Sequence, residues 1–149
     1  MAEITIRPLA ATDREAWTPL WHGYLTFYKA TLPPEIDAIT FGRLTGGEEP
    51  MGGFLAFEGD KPLGMVNWVL HRTTWSDKPI CYLQDLFTVP ESRGTGIGRK
   101  LIEAVNQMAR AKNCYRVYWQ THESNLQGQA LYDKVADKSG FIVYRQPLG

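Results

Sequence analysis

The chain has 149 residues, which suits one domain and lets a single core bury roughly two-thirds of the extended surface. Its 16 basic and 16 acidic residues give a formal net charge of zero without a long run of like charge, so the electrostatic footprint of a nucleic-acid or membrane-surface binder is missing. The opening MAEITIRPLA has no long apolar core and no window approaches about 18 uninterrupted apolar residues, which makes a cytoplasmic protein the default expectation.

Ile4 and Ile6 flank Thr5 and Pro8 ends the alternation, predicting a first strand. Thr12-Asp13-Arg14-Glu15 has the form of a capping box, so a helix is expected to start there. Trp17, Trp21, Tyr24 and Tyr28 then recur at steps of four, three and four, drawing an aromatic stripe along one helical face, with Pro19 early enough to be tolerated. The stripe has two readings. It is packed core, where burial of such rings dominates, or a substrate wall, since Trp and Tyr faces attract ammonium groups. Pro33-Pro34 breaks the chain; Ile36, Ile39 and Leu44 predict a second helix ending at Gly46-Gly47. Glu35, Asp37, Glu48 and Glu49 make this connection acidic, either as a solvated face or as an attractor for a cationic ligand. Gly53 to Phe57 and Pro62 to His71 read as a hairpin around Glu58-Gly59-Asp60, followed by a polar loop containing Trp75.

The stretch from Cys81 to Lys112 organises the rest. An apolar run (Tyr82, Leu83, Leu86, Phe87, Val89) stops at Pro90, passes Gly94, Gly96 and Gly98, and gives way to helical spacing at Leu101, Val105 and Met108. Glycines allow positive φ and close approach of a ligand to the backbone, and the first N–H groups of the following helix lack internal partners. Together with the helix dipole this makes a phosphate cradle, to which Arg93, Arg99 and Lys100 add positive charge. The bland reading is a tight strand-to-helix turn with solvated basic residues. A dinucleotide fingerprint does not fit, because the third glycine falls one place early and Arg116 to Gln120 offers no carboxylate; a P-loop string is absent. Beyond lie a predicted strand Tyr115 to Thr121, a helix from about Asn125 to Lys134, and a last strand Phe141 to Arg145. This order implies a mixed α/β sheet with helices packed on it. Cys81 and Cys114 form no metal or redox spacing and read as reduced thiols in or near the core.

Arg93-x-x-Gly96-x-Gly98, preceded by Leu86 to Val89 and Pro90, resembles the acetyl-CoA signature [QR]-x-x-G-x-[GA] of the GNAT superfamily of N-acetyltransferases. Asn125, Ala130, Leu131 and Tyr132 with Gly140-Phe141 look like the same superfamily's closing segment, and ITIRPLAATDREA like its first strand and helix. The resemblance covers nearly the whole chain, most closely Tyr82 to Tyr144. Within the superfamily, YLQDLFTVPESRGTGIG is similar to the branch of small-amine enzymes acting on polyamines, diamines and amino acids. It implies a single N-acetyltransferase domain over residues 1–149 with an α/β GNAT fold. The expected sheet has about six to seven strands, helices on both faces, and a splayed strand pair that holds acetyl-CoA. It also implies acetyl-CoA as cosubstrate, no metal, and a homodimer.

Acetyl transfer from a thioester to an amine needs a neutral amine, stabilisation of the developing oxyanion, and a proton for the departing thiolate. The resemblance assigns the thioester and pantetheine to backbone groups of Leu86, Phe87, Thr88 and Val89, with Val89 the expected donor, and adds Asn125 on the pantetheine arm. It assigns the pyrophosphate to Arg93, Gly94, Thr95, Gly96, Ile97, Gly98, Arg99 and Lys100. Tyr132 falls at the general-acid position, where a hydroxyl of ordinary tyrosine acidity holds its proton at neutral pH and still yields it to a basic thiolate; otherwise it is a helix tyrosine packed on the sheet. Trp21, Tyr24, Tyr28, Gln84 and Asp85 are the candidate amine-binding residues. Related polyamine acetyltransferases often carry Glu-Asp where this chain has Gln84-Asp85, and Gln84 cannot accept a proton. The base is left open among Asp85 (alternatively a structural carboxylate paired with an arginine), His71, His122, Glu123 and bulk water. A covalent route through Cys81 is disfavoured, because no helix N-terminus or adjacent histidine activates it. A protein or peptide acetyltransferase and a silent acyl-CoA-binding regulator are the competing functions; an intact Tyr132 argues against the latter.

Overall fold

The computed structural model describes residues 3–149. Residues up to Trp119 form one compact unit and Gln120–Gly149 form a second, smaller one. The first carries, in chain order, β1 (Ile4–Pro8), α1 (Arg14–Phe27), α2 (Pro34–Thr45), β2 (Met51–Glu58), β3 (Lys61–His71), β4 (Ile80–Thr88), α3 (Ile97–Ala111) and β5 (Val117–Tyr118). The five strands lie in sequence order; β1 to β4 are antiparallel and β5 joins β4 in parallel.

Local chemistry sets the element ends. The expected capping box at Thr12 is replaced by one centred on Asp13, which accepts from the Ala10 N–H at 2.7 Å and closes a 3-10 turn (Ala11–Asp13) ahead of α1. Asp13 wins because Arg7 grips its two carboxylate oxygens at 2.8 Å each, tying β1 to the helix entrance and holding the Asp13 carboxyl below the usual carboxylate range. Helix α2 starts at Pro34, where a missing N–H costs nothing, with Glu35 and Asp37 in its first turn and Arg43 in its last. A two-residue turn with Gly59 at φ +61° joins β2 to β3, as the sequence suggests.

Helices α1 and α2 cover one face of the sheet. Trp17, Leu20 and Trp21 of α1 and Phe41 and Leu44 of α2 pack there on Leu55, Phe57, Met65 and Phe87. Helix α3 buries Ile97, Leu101, Ile102, Val105 and Ala109, one amphipathic stripe. A Cβ on Gly64 would stand 3.1 Å from both Ile97 and Leu101, so this glycine lets α3 approach the sheet. Helices thus lie on both faces, as expected.

Three strand expectations are corrected. Among the described residues the sheet has five strands, not six to seven. The strand predicted over Tyr115 to Thr121 shrinks to Val117–Tyr118, because only Cys81↔Val117 and Tyr82↔Tyr118 pair; β4 then runs on to Thr88 without a β5 partner. The predicted last strand, Phe141 to Arg145, is irregular chain in the second unit, with Phe141 to Tyr144 exposed. Their continuous apolar run is a valid strand pattern, but a strand exists only with a ladder partner. The second unit's one regular element is α4 (Leu126–Val135).

Candidate active site

The register of β3 against β4 slips at one place. Asn67 pairs with Asp85 but Trp68 pairs with Leu83, so Gln84 is an extra residue on β4. Such a bulge re-aims the side chains beside it. Gln84 is turned out to solvent, while Asp85 is buried on the face covered by α1. There a buried polar chain forms: the Trp17 indole N–H donates to Asn67 Oδ1 at 3.2 Å, and Asn67 Nδ2 donates to Asp85 Oδ2 at 3.0 Å. The Tyr24 hydroxyl hydrogen-bonds the same carboxylate. Burial pushes the Asp85 acid up to about 6, against the pull of the Asn67 and Tyr24 hydrogen bonds. Tyr24 is raised far above the tyrosine range by burial and by the facing carboxylate, so its hydroxyl stays a donor. The hydrogen-bond partners of Asp85 are the Asn67 amide and the Tyr24 phenol.

The aromatic stripe divides between its two readings. Trp17 and Trp21 are core, stacked at 5.4 Å, with Trp17 also tilted against Phe41 at 5.4 Å. Trp21, a candidate amine-binding residue by sequence, is therefore corrected to a packing residue; its N–H donates to Asp37 Oδ1 at 3.1 Å, and His22 engages the other oxygen of Asp37 at 2.6 Å. These contacts pin α1 to α2. Tyr24 and Tyr28 are half-buried, with ring centroids 5.0 Å apart, and Tyr24 brings the stripe to Asp85. A carboxylate beside π faces suits a cationic or amine ligand.

The cradle follows β4 directly. Gly94 and Gly96 have φ of +81° and +88°, and no atom lies within 4 Å of where a Cβ would stand on either. L-residues with a Cβ pay for that conformation. Gly96 caps α3, whose first regular bond is Lys100 N–H to Gly96 C=O at 3.0 Å. The N–H groups of Ile97, Gly98 and Arg99 precede it and have no helical acceptor. No acidic side chain occupies this turn, and Arg99 and Lys100 are exposed beside it. Thr95 folds its hydroxyl back onto the Ser92 carbonyl, closing the loop. The open glycines, free amides and two cations fit a pyrophosphate.

Arg93 acts differently from the rim cation expected. Its Nε donates to the Thr88 carbonyl at 3.2 Å, and its guanidinium lies over Phe27 at 5.1 Å and Phe87 at 5.6 Å. It joins the loop to the end of α1. The expectation for Val89 is corrected: its N–H donates to the Leu63 carbonyl at 2.9 Å and faces β3. Alternation along β4 past the bulge then turns the backbone groups of Leu86 and Thr88 to the edge that β5 has left. The Thr88 carbonyl accepting Arg93 fits that direction.

His71 pairs with Ile80, at the opposite end of β4 from the cradle. Its Nδ1 is bonded to the Arg72 carbonyl at 2.8 Å, which requires Nδ1–H, and its Nε2 is hydrogen-bonded with the Tyr118 hydroxyl at 2.8 Å. Burial pushes the Cys81 thiol up to about 12, consistent with an inert thiol. In the second unit, His122 forms a local turn with Ser124 at 2.7 Å, and Glu123 gives its carbonyl to the Gln129 amide at 3.0 Å. Asn125, expected on the pantetheine arm, is the N-cap of α4: its Oδ1 accepts from Gly128 N–H at 3.1 Å and its Nδ2 donates to Thr121 at 2.8 Å. Its amide is engaged by capping. Tyr132 lies on α4.

Residues 14–136 match the Acetyltransferase (GNAT) family. The chain belongs to that family. This GNAT N-acetyltransferase is 36% identical over 146 residues to D-amino-acid N-acetyltransferase HPA3 of Saccharomyces cerevisiae, a match spanning 96% of the chain and 90% of that protein. It is 34% identical over 83 residues to a thialysine N-epsilon-acetyltransferase of Caenorhabditis elegans, 56% of the chain and 51% of the relative. Its fold is shared with AAC(6')-Iy in complex with a CoA-containing bisubstrate analogue, at a TM-score of 0.86 and 17% identity over 99% of this chain and 100% of that one. It is also shared with the aminoglycoside acetyltransferase meta-AAC0020 in complex with sisomicin, at a TM-score of 0.80 and 20% identity over 97% of each chain.

Asn67 and Trp17 are the site residues that sequence reading missed. A signal existed: Asn67 is the one side chain able to make polar pairs on both sides within the run Leu63 to Leu70, LGMVNWVL. A polar residue inside a buried strand demands partners.

Proposed function

We propose that this GNAT enzyme is a single N-acetyltransferase domain that moves the acetyl group of acetyl-CoA directly to a primary amine of a small molecule, an amino acid, diamine or polyamine, within a ternary complex. The observation that carries the reading is the buried Asp85 carboxylate, flanked by Tyr24, one strand-end away from an open glycine cradle. The names of the D-amino-acid and thialysine relatives support the small-amine class.

In this reading the amides of Gly94 to Arg99, with Arg99 and Lys100, bind the pyrophosphate. Acetyl-CoA supplies an activated acyl group with a thiolate leaving group. The β4 edge at Leu86 and Thr88 offers N–H groups to the thioester oxygen, where negative charge develops. The amine nitrogen bonds to the acyl carbon and the C–S bond breaks. Asp85 takes the amine's proton, directly or through water, and Tyr132 gives one to the sulfur. A carboxylic acid titrating near 6 is ionised at neutral pH and is a stronger base than an ordinary aspartate.

The test is thiol release from acetyl-CoA against panels of D- and L-amino acids, thialysine, diamines, polyamines and peptides. Turnover with small amines is expected, rising through pH 6 on the acid side. Turnover with peptides alone would establish the protein-acetylating alternative, and CoA binding without turnover of any amine would establish the silent regulator.

A further inference from the structure

We propose that Trp17 and Asn67 form a fixed donor chain that keeps Asp85 ionised and aimed, with Asn67 a positioning residue for this carboxylate. The inference rests on the reading of Asp85 as the base, and it begins from an atom whose role is unambiguous. An indole N–H only donates, so the Asn67 atom 3.2 Å from it is the carbonyl oxygen and the amide orientation is settled. The other end of that amide is then an NH₂ group, 3.0 Å from Asp85 Oδ2. An NH₂ donor rewards the ionised carboxylate and cannot accept from a protonated Oδ2. All donors in the chain run one way, from the indole through the amide to the carboxylate, so each bond polarises the next.

The surroundings confine Asn67. It is 2% exposed, and a Cβ on Gly53 would lie 2.8 Å from the Val66 carbonyl oxygen and 3.3 Å from Asn67 Oδ1, so the glycine on the neighbouring strand spares both the backbone and the amide. Asn67 also sits opposite Asp85 at the last pair before the bulge, which fixes the separation of the two side chains through the backbone. The groups that act on Asp85 are Asn67 from β3, Tyr24 from α1 with Tyr28 behind it, and Tyr82 from its own strand. Among the described residues none of these is a cation. Asn67 and Tyr24 are the two groups that oppose the effect of burial, and Asn67 is the stronger.

The experiment uses the full chain carrying Asn67→Leu, which keeps the shape and removes the donor, and Asn67→Ser, which shortens the side chain without adding apolar bulk. Two quantities are read: the titration of the Asp85 carboxyl by carbon-13 NMR in protein without substrate, and the acid limb of kcat/KM with a small amine. In both variants the carboxyl titration moves upward by about one pH unit from its wild-type midpoint. The kinetic limb moves with it, so the loss in kcat/KM is about fivefold greater at pH 6 than at pH 9, where only the lost aim of the carboxylate remains. A side chain that only packs would lower activity equally at every pH. A carboxyl titration that stays in place in the folded variants overturns the donor chain. A carboxyl titration that moves under a fixed kinetic limb sustains the donor chain and removes Asp85 as the base.

Discussion

Two parts of this molecule handle charge by opposite means. At the cradle, Gly94 to Lys100, almost everything is backbone: two positive-φ glycines with open space beside them and a helix end whose amides await an acceptor. At Asp85 everything is side chain, a buried carboxylate held by an amide, a phenol and, one step back, an indole. Backbone binding is tolerant of what surrounds it and pays little when its ligand leaves, since water replaces the phosphate. A buried carboxylate carries a standing desolvation cost, and the fold accepts it. On the proposed reading the contrast separates binding from chemistry, and each half is open to independent attack.

The largest effect is expected from Asp85→Asn. Loss of the base lowers kcat/KM by about 10²- to 10⁴-fold, while CoA affinity, measured by calorimetry, stays at the wild-type value. The same variant is more stable than wild type at pH 8. Folding raises the Asp85 acid from 3.8 to about 6, so between those values the folded state holds a proton that the unfolded chain has lost, and stability falls as pH rises. Above pH 6 the full cost, at most about 3 kcal/mol, is present, and the neutral amide removes it. Thermal melts at pH 4 and pH 8 check the sign: the gain appears at pH 8 and fades toward pH 4.

The converse break is Gly96→Ala. A Cβ at φ +88° costs about 1–2 kcal/mol and intrudes on the space next to the phosphate amides. CoA binding is expected to weaken about tenfold, with kcat at saturating acetyl-CoA unchanged and the pH–rate limb in place. If Gly96→Ala moved the limb, or Asp85→Asn weakened CoA, the two regions would not be separable in the way proposed. Arg93 bridges them, with its guanidinium over Phe27 of α1 and Phe87 of β4 and its Nε on the Thr88 carbonyl.

The same contrast explains what was legible in the sequence. Glycine spacing reports backbone conformation directly, so the positive-φ turn at Gly94 and Gly96, the hairpin turn at Gly59 and the start of α3 could be read from residue order alone. The amine side depends on how distant segments register. Nothing local says that Gln84 is the extra residue of a bulge, and without it Asp85 would point to the other face of the sheet. Val89 shows the same limit: strand character was evident, but which edge its N–H faces follows from the Leu63 partner. Trp21 and Tyr24 sit three positions apart on one stripe, and only the place where α2 ends its cover makes one of them core and the other a neighbour of Asp85. Phe141 to Tyr144 carried a valid strand pattern with no strand to join.

Tyr24→Phe sharpens the comparison at smaller amplitude. It removes the weaker of the two hydrogen bonds that oppose burial at Asp85 and leaves the ring stacked on Trp21 at 5.7 Å and tilted against Tyr28 at 5.0 Å. The acid limb of kcat/KM is expected to move upward by about half a unit, less than for Asn67→Leu. A larger shift than that of Asn67→Leu would reverse the order of the two donors and place the phenol, not the amide, in control.

Arg99→Ala should have the smallest effect and tests the cradle's side of the comparison. Arg99 is half exposed and its pairing with Glu103 is loose, at 3.8 Å, so its removal should change stability by no more than about 0.5 kcal/mol. Its contribution to CoA binding is long-range attraction to phosphate, worth about two- to fivefold in Kd at low ionic strength and less at 1 M salt, where charges beyond about 3 Å are screened. Free backbone amides, by contrast, bind through short hydrogen bonds that salt barely touches. If the affinity lost in Arg99→Ala persisted undiminished in 1 M salt, the guanidinium would be making a direct bond to the phosphate, and the cradle would share the side-chain dependence that otherwise distinguishes the Asp85 region.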